Sequence, residues 1–214
     1  IDRAVKRLSG NGFIGYPTET VWGLGACADR PPAIDRLFEW KGRSTDQPIS
    51  VLIPSISAAA AFGCHFGEHA ERLARRFWPG PRTLVVPCAH SFASGVARAD
   101  GALGLRCSGH PIVGALVAAI AEAGLGPITS TSMNRSGLRP AGDLGSAEAL
   151  VAGEAADTLA SPLLVWAGGS GMECDAGAAP PSSVVDCTGA IPKILRAGGL
   201  DPALLERVWS ESPN

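Results

Sequence analysis

Short apolar runs recur along the whole chain and alternate with segments whose apolar residues repeat at helical spacing, a pattern that points to an α/β fold. The strand-like runs are residues 13–16, 49–54, 83–86, 103–107, 182–186 and 191–195. Between them, Val5 and Leu8 mark a first helix that ends in the turn Ser9-Gly10-Asn11-Gly12. Pro31-Pro32 opens a second, an alanine-rich helix begins at Ser57, and another runs over about 68–78 until Pro79-Gly80-Pro81 stops it. His110-Pro111 leads the apolar helix 112–123, and Leu204, Leu205 and Val208 give a last helix over about 202–209.

A chain of 214 residues, 46% apolar and 18% charged, can bury a substantial core; residues 1–214 read as a single domain, with two lobes as the alternative. The net charge of -2 gives no chain-wide basic field for nucleic acid, so RNA contact needs a local patch, for which Arg72, Arg75 and Arg76 are one weak candidate. Six cysteines lie scattered without a CxxC pair, several in apolar runs, which predicts buried thiols and a reducing, cytoplasmic setting. No run is long enough for a membrane span and no signal peptide opens the chain; the absent initiator Met leaves room for a trimmed N-terminus. His65, His69, His90 and His110 lack metal-site spacing, and each reads as a surface or helix-cap residue, so no protein-held metal is expected. Neither a P-loop, a GxGxxG fingerprint nor a GxSxG elbow is present.

Four features carry chemistry. In YPTETVWGLG, residues 16–25, two threonines and a glutamate follow a strand and precede glycines, a composition suited to a small-anion or nucleotide site. Ile34, Leu37 and Phe38 form an inward stripe whose next position is Lys41; this ammonium either reaches a cleft or snorkels beside the helix C-terminus closed by Gly42. Arg106, the one charge in an apolar strand, needs a partner, either a structural ion pair or an anionic ligand. TSTSMNRSG, residues 129–137, can donate several hydrogen bonds to phosphate or ribose, although residue chemistry alone favours an ordinary Ser/Thr-rich turn. The Gly/Ala/Pro-rich segment 168–181 has the length of a lid.

Taken together, YPTETVWGLGA, KGR with QPISVLI, FWPGPRTLVV, GLRCSGHPI, TSTSMNRSG, SSVVD and KILRAGG resemble, in order and spacing, the YrdC-like threonylcarbamoyl-AMP synthase family over residues 13–199. The resemblance implies a twisted mixed parallel/antiparallel sheet flanked by helices around a concave, positive cavity. It also implies a nucleotidyltransferase that makes threonylcarbamoyl-AMP and pyrophosphate from L-threonine, bicarbonate or CO2, and ATP. Mg2+ would be held mainly by phosphates. The product would feed downstream threonylcarbamoyl transferase proteins that modify tRNA.

Carried onto this sequence, the family's nucleotide site falls on Lys41, Arg43, Ser132 and Asn134, joined by Gln47, Ser130 and Arg196, with Lys41 and Arg43 as the catalytic pair. Threonine recognition falls on Thr20, Arg106 and Ser182, which would give Arg106 a substrate carboxylate as partner. Leu52 stands where relatives carry a threonine-binding histidine, Gln47 replaces an asparagine, and Met133 replaces a common alanine and is expected to narrow the pocket. The trailing domain of longer members is missing from this sequence. Two other readings are a double-stranded RNA-binding module, through the basic concave face of the family fold, and a carbamoyl-adenylate-forming relative.

Overall fold

A nine-stranded mixed sheet organises the residues that the computed structural model describes, 1–155, 158–167 and 180–210. Its strands are β1 Phe13–Tyr16, β2 Gly23–Ala26, β3 Ser50–Leu52, β4 Arg82–Pro87, β5 Ala102–Arg106, β6 Thr129–Ser132, β7 Leu163–Leu164, β8 Ser183–Asp186 and β9 Lys193–Arg196. They lie in the order β7-β1-β2-β6-β3-β5-β4-β8-β9. The pairs β1–β7, β3–β5 and β4–β8 are parallel and the others antiparallel, the mixed sheet the sequence predicts. The helices are α1 Asp2–Ser9, α2 Pro31–Lys41, α3 Ile56–Ala61, α4 Glu68–Phe77, α5 Pro111–Glu122, α6 Leu144–Val151 and α7 Pro202–Ser210. No described helix is long and apolar enough to cross a membrane. The segment 168–179, where the sequence suggests a lid, lies outside the described residues.

Strand alternation gives the sheet two unlike faces. Leu24, Ala26, Val51, Val86, Leu103 and Leu105 point to one side and join Ile34, Leu37 and Phe38 of α2 in the largest core cluster. Farther along, Leu84 and Val185 meet Leu73 of α4 and Leu205 and Val208 of α7. The opposite face is covered over part of its width: Ile14, Tyr16, Leu52 and Ile128 pack beneath Leu8 of α1 and Ile112, Leu116 and Ile120 of α5. Beyond that cover the same face bears Ser130, Gly104, Arg106, Thr83 and Val184, and there it opens into a cavity.

One reading of the sequence is corrected. Residues 129–132 form a strand in the middle of the sheet, where the hydroxyls of Ser130 and Ser132 stand on its open face; the ladder to β2 and β3 satisfies the backbone that a turn would have capped itself. The glycines of 23–26 form β2, which pairs with β1, and make room for a ring. A Cβ on Gly23 would sit 2.6 Å from the Tyr16 ring, and one on Gly25 2.8 Å from the Thr129 carbonyl. The Tyr16 hydroxyl donates to that carbonyl at 3.1 Å. The cysteines follow expectation where described: Cys27, Cys64, Cys88 and Cys107 are buried and Cys187 half-buried, and burial pushes the Cys27 thiol up to about 11.

Candidate functional site

Ser130 and Ser132 of β6, Ser50 of β3, Thr83 of β4, Arg106 of β5 and Ser182 ahead of β8 border a cavity of about 340 Å3, with Arg43, Arg98 and Arg196 on its walls. Gly104 keeps the floor low, because a Cβ there would meet the Ser50 hydroxyl at 3.0 Å and Thr83 Cγ2 at 3.3 Å.

Lys41 is delivered by the helix that precedes it. Pro31 starts α2, the Ile34, Leu37 and Phe38 stripe is buried, and Gly42 closes the helix in the left-handed conformation at φ 62°. The stripe carries the Lys41 side chain inward until it is 2% exposed. Its Nζ donates to the Ser132 carbonyl at 2.5 Å and to the carbonyl and Oδ1 of Asn134, both at 3.1 Å. All three acceptors are neutral, and among the described residues no carboxylate pairs with this ammonium. Burial, and then the Arg43 charge, bring it down to about 8.

The same holds for two arginines on the cavity wall. Among the described residues Arg43 donates to backbone, to the Gln47 carbonyl at 3.2 Å and the Pro48 carbonyl at 3.3 Å; Arg196 Nε donates to the Ser182 carbonyl at 2.8 Å. Burial lowers both guanidinium groups from their usual range, with Arg196 adding to the effect at Arg43 and Arg106 at Arg196. A succession of like charges therefore runs from Lys41, behind the Ser132 wall, to Arg43, Arg196 and Arg106 on the hollow itself. Such a set costs stability in the absence of a ligand and is offset by an anion.

Arg106 differs. Its Nη2 donates to Glu19 Oε1 at 3.1 Å, Thr18 Oγ1 at 3.1 Å and Thr20 Oγ1 at 2.9 Å. Glu19 is held in turn by a short contact from the Ser108 hydroxyl. The structural ion pair is thus present, yet Arg106 Nε is buried without a partner, as is Nε1 of Trp22, another residue lining the cavity. Buried donors without acceptors are rare, and two on one cavity suit a ligand rich in acceptors.

The expected site residues fall into two groups. Arg43, Ser130, Ser132, Arg106, Ser182 and Arg196 share the cavity. Lys41 and Asn134 lie just behind its Ser132 wall; Ser132 Oγ donates to Asn134 Oδ1 at 2.6 Å. Thr20 holds Arg106 without reaching the wall, and Gln47 contributes a backbone carbonyl to Arg43 while its side chain is exposed. Met133 does not narrow the pocket: alternation turns it away from Ser132 into the main core, beside Gly15, where a Cβ would come 2.7 Å from the Met133 sulfur. Leu52 packs in the apolar cluster beneath α5. The sequence reading gave no role to Glu19, Trp22 or Arg98, the last a cavity residue paired with Asp186 at 2.7 Å. The Asp of SSVVD was the available signal for that pair. The arginines of α4 do not form a free basic patch, since Arg72 pairs with Glu68 and Arg75 with Glu71.

The chain is similar to several known proteins. A family model described as telomere recombination, for the Sua5, YciO and YrdC proteins, matches residues 6–198. The threonylcarbamoyl-AMP synthase of Bacillus subtilis (strain 168) is 35% identical over 209 residues, 97% of this chain and 56% of that protein. A relative from Mycobacterium tuberculosis (strain H37Rv) is 33% identical over 205 residues, 96% of this chain and 85% of its own length. The crystal structure of Pyrococcus abyssi Sua5 complexed with L-threonine superposes with a TM-score of 0.81 at 31% identity, covering 98% of this chain and 57% of that one. The chain thus spans a little over half the length of the Bacillus and Pyrococcus proteins.

Proposed function

The chain belongs to the Sua5, YciO and YrdC family, and from that premise we propose that it is an L-threonylcarbamoyladenylate synthase. One observation carries the reading: buried Lys41 just behind the wall of one cavity, and half-buried Arg43 and exposed Arg196 on that wall, have backbone and amide oxygens as partners and no carboxylate among the described residues. A triphosphate supplies the missing charge.

The chemistry needs little else from the protein. The threonine amine adds to CO2, or to bicarbonate with loss of water, and gives an N-carboxylated threonine. A carbamate oxygen then attacks the α-phosphorus of ATP, the bond to the bridging oxygen breaks, and pyrophosphate leaves. No protein nucleophile takes part. The work consists of bringing two anions together and neutralising the charge that grows on phosphorus and leaving group. Arg43 and Arg196 contact the phosphates from the walls; Lys41 turns its Nζ from the Ser132 and Asn134 oxygens toward them. Ser130, Ser132 and Asn134 hold the nucleotide. Arg106, oriented by Thr20, takes the substrate carboxylate, with Ser182 beside it.

Magnesium enters as the ion that ATP itself carries on its phosphate oxygens. Glu19, the carboxylate nearest this chemistry, is committed to Arg106 and Ser108, and no group of three or more His, Cys, Asp or Glu suited to a metal occurs among the described residues. The groups the reaction uses lie on one sheet or on segments that adjoin it, which favours taking residues 1–214 as one domain. The product would pass in the cytoplasm to threonylcarbamoyl transferase proteins acting on tRNA.

The test is incubation with labelled ATP, bicarbonate and each amino acid in turn. Threonine-dependent pyrophosphate and an acyl-adenylate are expected. Absence of both with every amino acid, or an adenylate that forms from carbamoyl phosphate and needs no amino acid, refutes the reading.

A further inference from the structure

Behind the cavity, three segments distant in sequence close on one another. Trp40 is the residue before Lys41, Arg135 the residue after Asn134, and Glu154 follows α6. The Arg135 guanidinium lies 4.2 Å from the centroid of the Trp40 ring. Its Nη1 makes a short contact to the Trp40 carbonyl, and its Nη2 a short ion pair with Glu154 Oε1. The Trp40 indole completes the ring, donating to Glu154 Oε1 at 2.9 Å and Oε2 at 3.1 Å. Glu154 and Trp40 keep 22% and 4% exposure, so this ring is partly shielded from water, where an ion pair and a cation–π contact are worth more than on an open surface.

We infer that Trp40, Arg135 and Glu154 are a positioning clamp for the nucleotide site, holding the end of α2 against the loop after β6 while the ligand is bound. In the free protein those two segments are joined mainly through Lys41: its Nζ holds Ser132 and Asn134, and its carbonyl accepts from the Ser136 amide at 2.6 Å. An ammonium that swings toward phosphate releases some of those side-chain bonds, and the register between Lys41 and Asn134 then needs a second tie. The clamp supplies it from residues that do not line the cavity and that a bound nucleotide leaves in place. Each of its members is next in sequence to a site residue or joined to one that is, so a small shift there moves Lys41 relative to Ser132 and Asn134. Positional errors of this size are costly at a site built from fixed donors.

The inference rests on the nucleotide reading of the cavity. It is tested by calorimetric titration of wild-type protein, Glu154→Ala, Glu154→Gln, Arg135→Ala, Arg135→Lys and the Glu154→Ala/Arg135→Ala double variant with ATP, and separately with L-threonine. Loss of one charge-assisted contact should weaken ATP binding about tenfold in Glu154→Ala. Glu154→Gln, which still accepts from the indole, should lose less. Arg135→Lys should behave like Arg135→Ala, since a lysine lacks the planar fork that both stacks and donates twice. The double variant should be little worse than either single one, as expected of groups that act as a unit. Threonine affinity should stay within about twofold of wild type, a separation that a general loosening of the fold does not produce. ATP affinity unchanged in all the variants, or equal losses for both ligands, overturns the clamp. A wild-type protein that does not bind ATP overturns instead the reading of the cavity.

Discussion

The two ends of the cavity hold their cations in opposite ways. At one end Lys41, Arg43 and Arg196 are bonded to neutral oxygens, and Arg43 lowers the charge affinity of Lys41 as Arg196 lowers that of Arg43. At the other, Arg106 has its own counter-ion in Glu19 and two threonine hydroxyls besides. The first arrangement leaves net positive charge for a polyanion to neutralise. The second is nearly balanced, so a ligand carboxylate there gains from one orphan donor and from geometry more than from bulk charge. A triphosphate and a single carboxylate are the two anions that these ends fit.

Breaking the unbalanced end should have the largest effect. Lys41→Ala or Arg43→Ala is expected to reduce threonine-dependent pyrophosphate release by about a hundredfold or more, the scale of removing one preorganised charge stabiliser, while circular dichroism shows an intact fold. Unchanged turnover in either variant would remove that residue from the chemistry.

Arg106→Ala should act on the other anion. The threonine KM should rise about tenfold or more while the ATP KM stays near wild type; saturation curves for the two substrates separate the cases, and the reverse pattern would exchange the roles of the two ends.

Glu19→Gln sharpens the contrast by making Arg106 resemble Lys41. Leaving a buried guanidinium without its carboxylate should lower stability by about 1–3 kcal/mol, read by urea unfolding. The same change should tighten threonine binding, because the substrate carboxylate no longer competes with an internal one. Weaker threonine binding would show that Glu19 serves the substrate directly.

The smallest effect is a pH dependence. Lys41 is depressed from its ordinary range to about 8, so the free protein loses this charge as pH rises through 8, and ATP binding should weaken from pH 7 to 9. A Lys41→Met variant should lack that slope. Stability follows the same proton: between about 8 and 10.5 the unfolded chain binds it more than the folded one does, so the wild-type protein should become more stable relative to Lys41→Met across that window. A flat difference between the two proteins from pH 8 to 10.5 would contradict the shift.

Much of this was open to sequence reasoning because local rules carry it. Pro31, the apolar stripe and Gly42 announce α2 and leave Lys41 either inward or snorkelling; the structure takes it inward. Arg106 inside an apolar run announces a need for a partner. The runs that form β8 and β9 were equally visible. Residues 129–132 were misjudged because hydroxylic side chains bond their own backbone as readily as they line a cleft, and only the neighbouring strands decide which occurs. β2, α6 and β7 went unread: the first is glycine-rich for the sake of the Tyr16 ring, and β7 is two residues long, too short for any periodicity. Trp40, Arg135 and Glu154 carry no pattern at all, since the longest of their separations is 114 residues.

Residue order alone settled that this chain builds an α/β sheet, where α2 begins and ends, and which basic and hydroxylic residues were candidates for binding anions. Each of those rests on interactions within a few neighbours, or on motifs whose spacing survives in the string. Packing decided the rest: which face Ser132 and Met133 take, that Glu19 already occupies Arg106, and that no carboxylate among the described residues pairs with Lys41. Charge balance is a property of distances in space, and a linear text does not contain them.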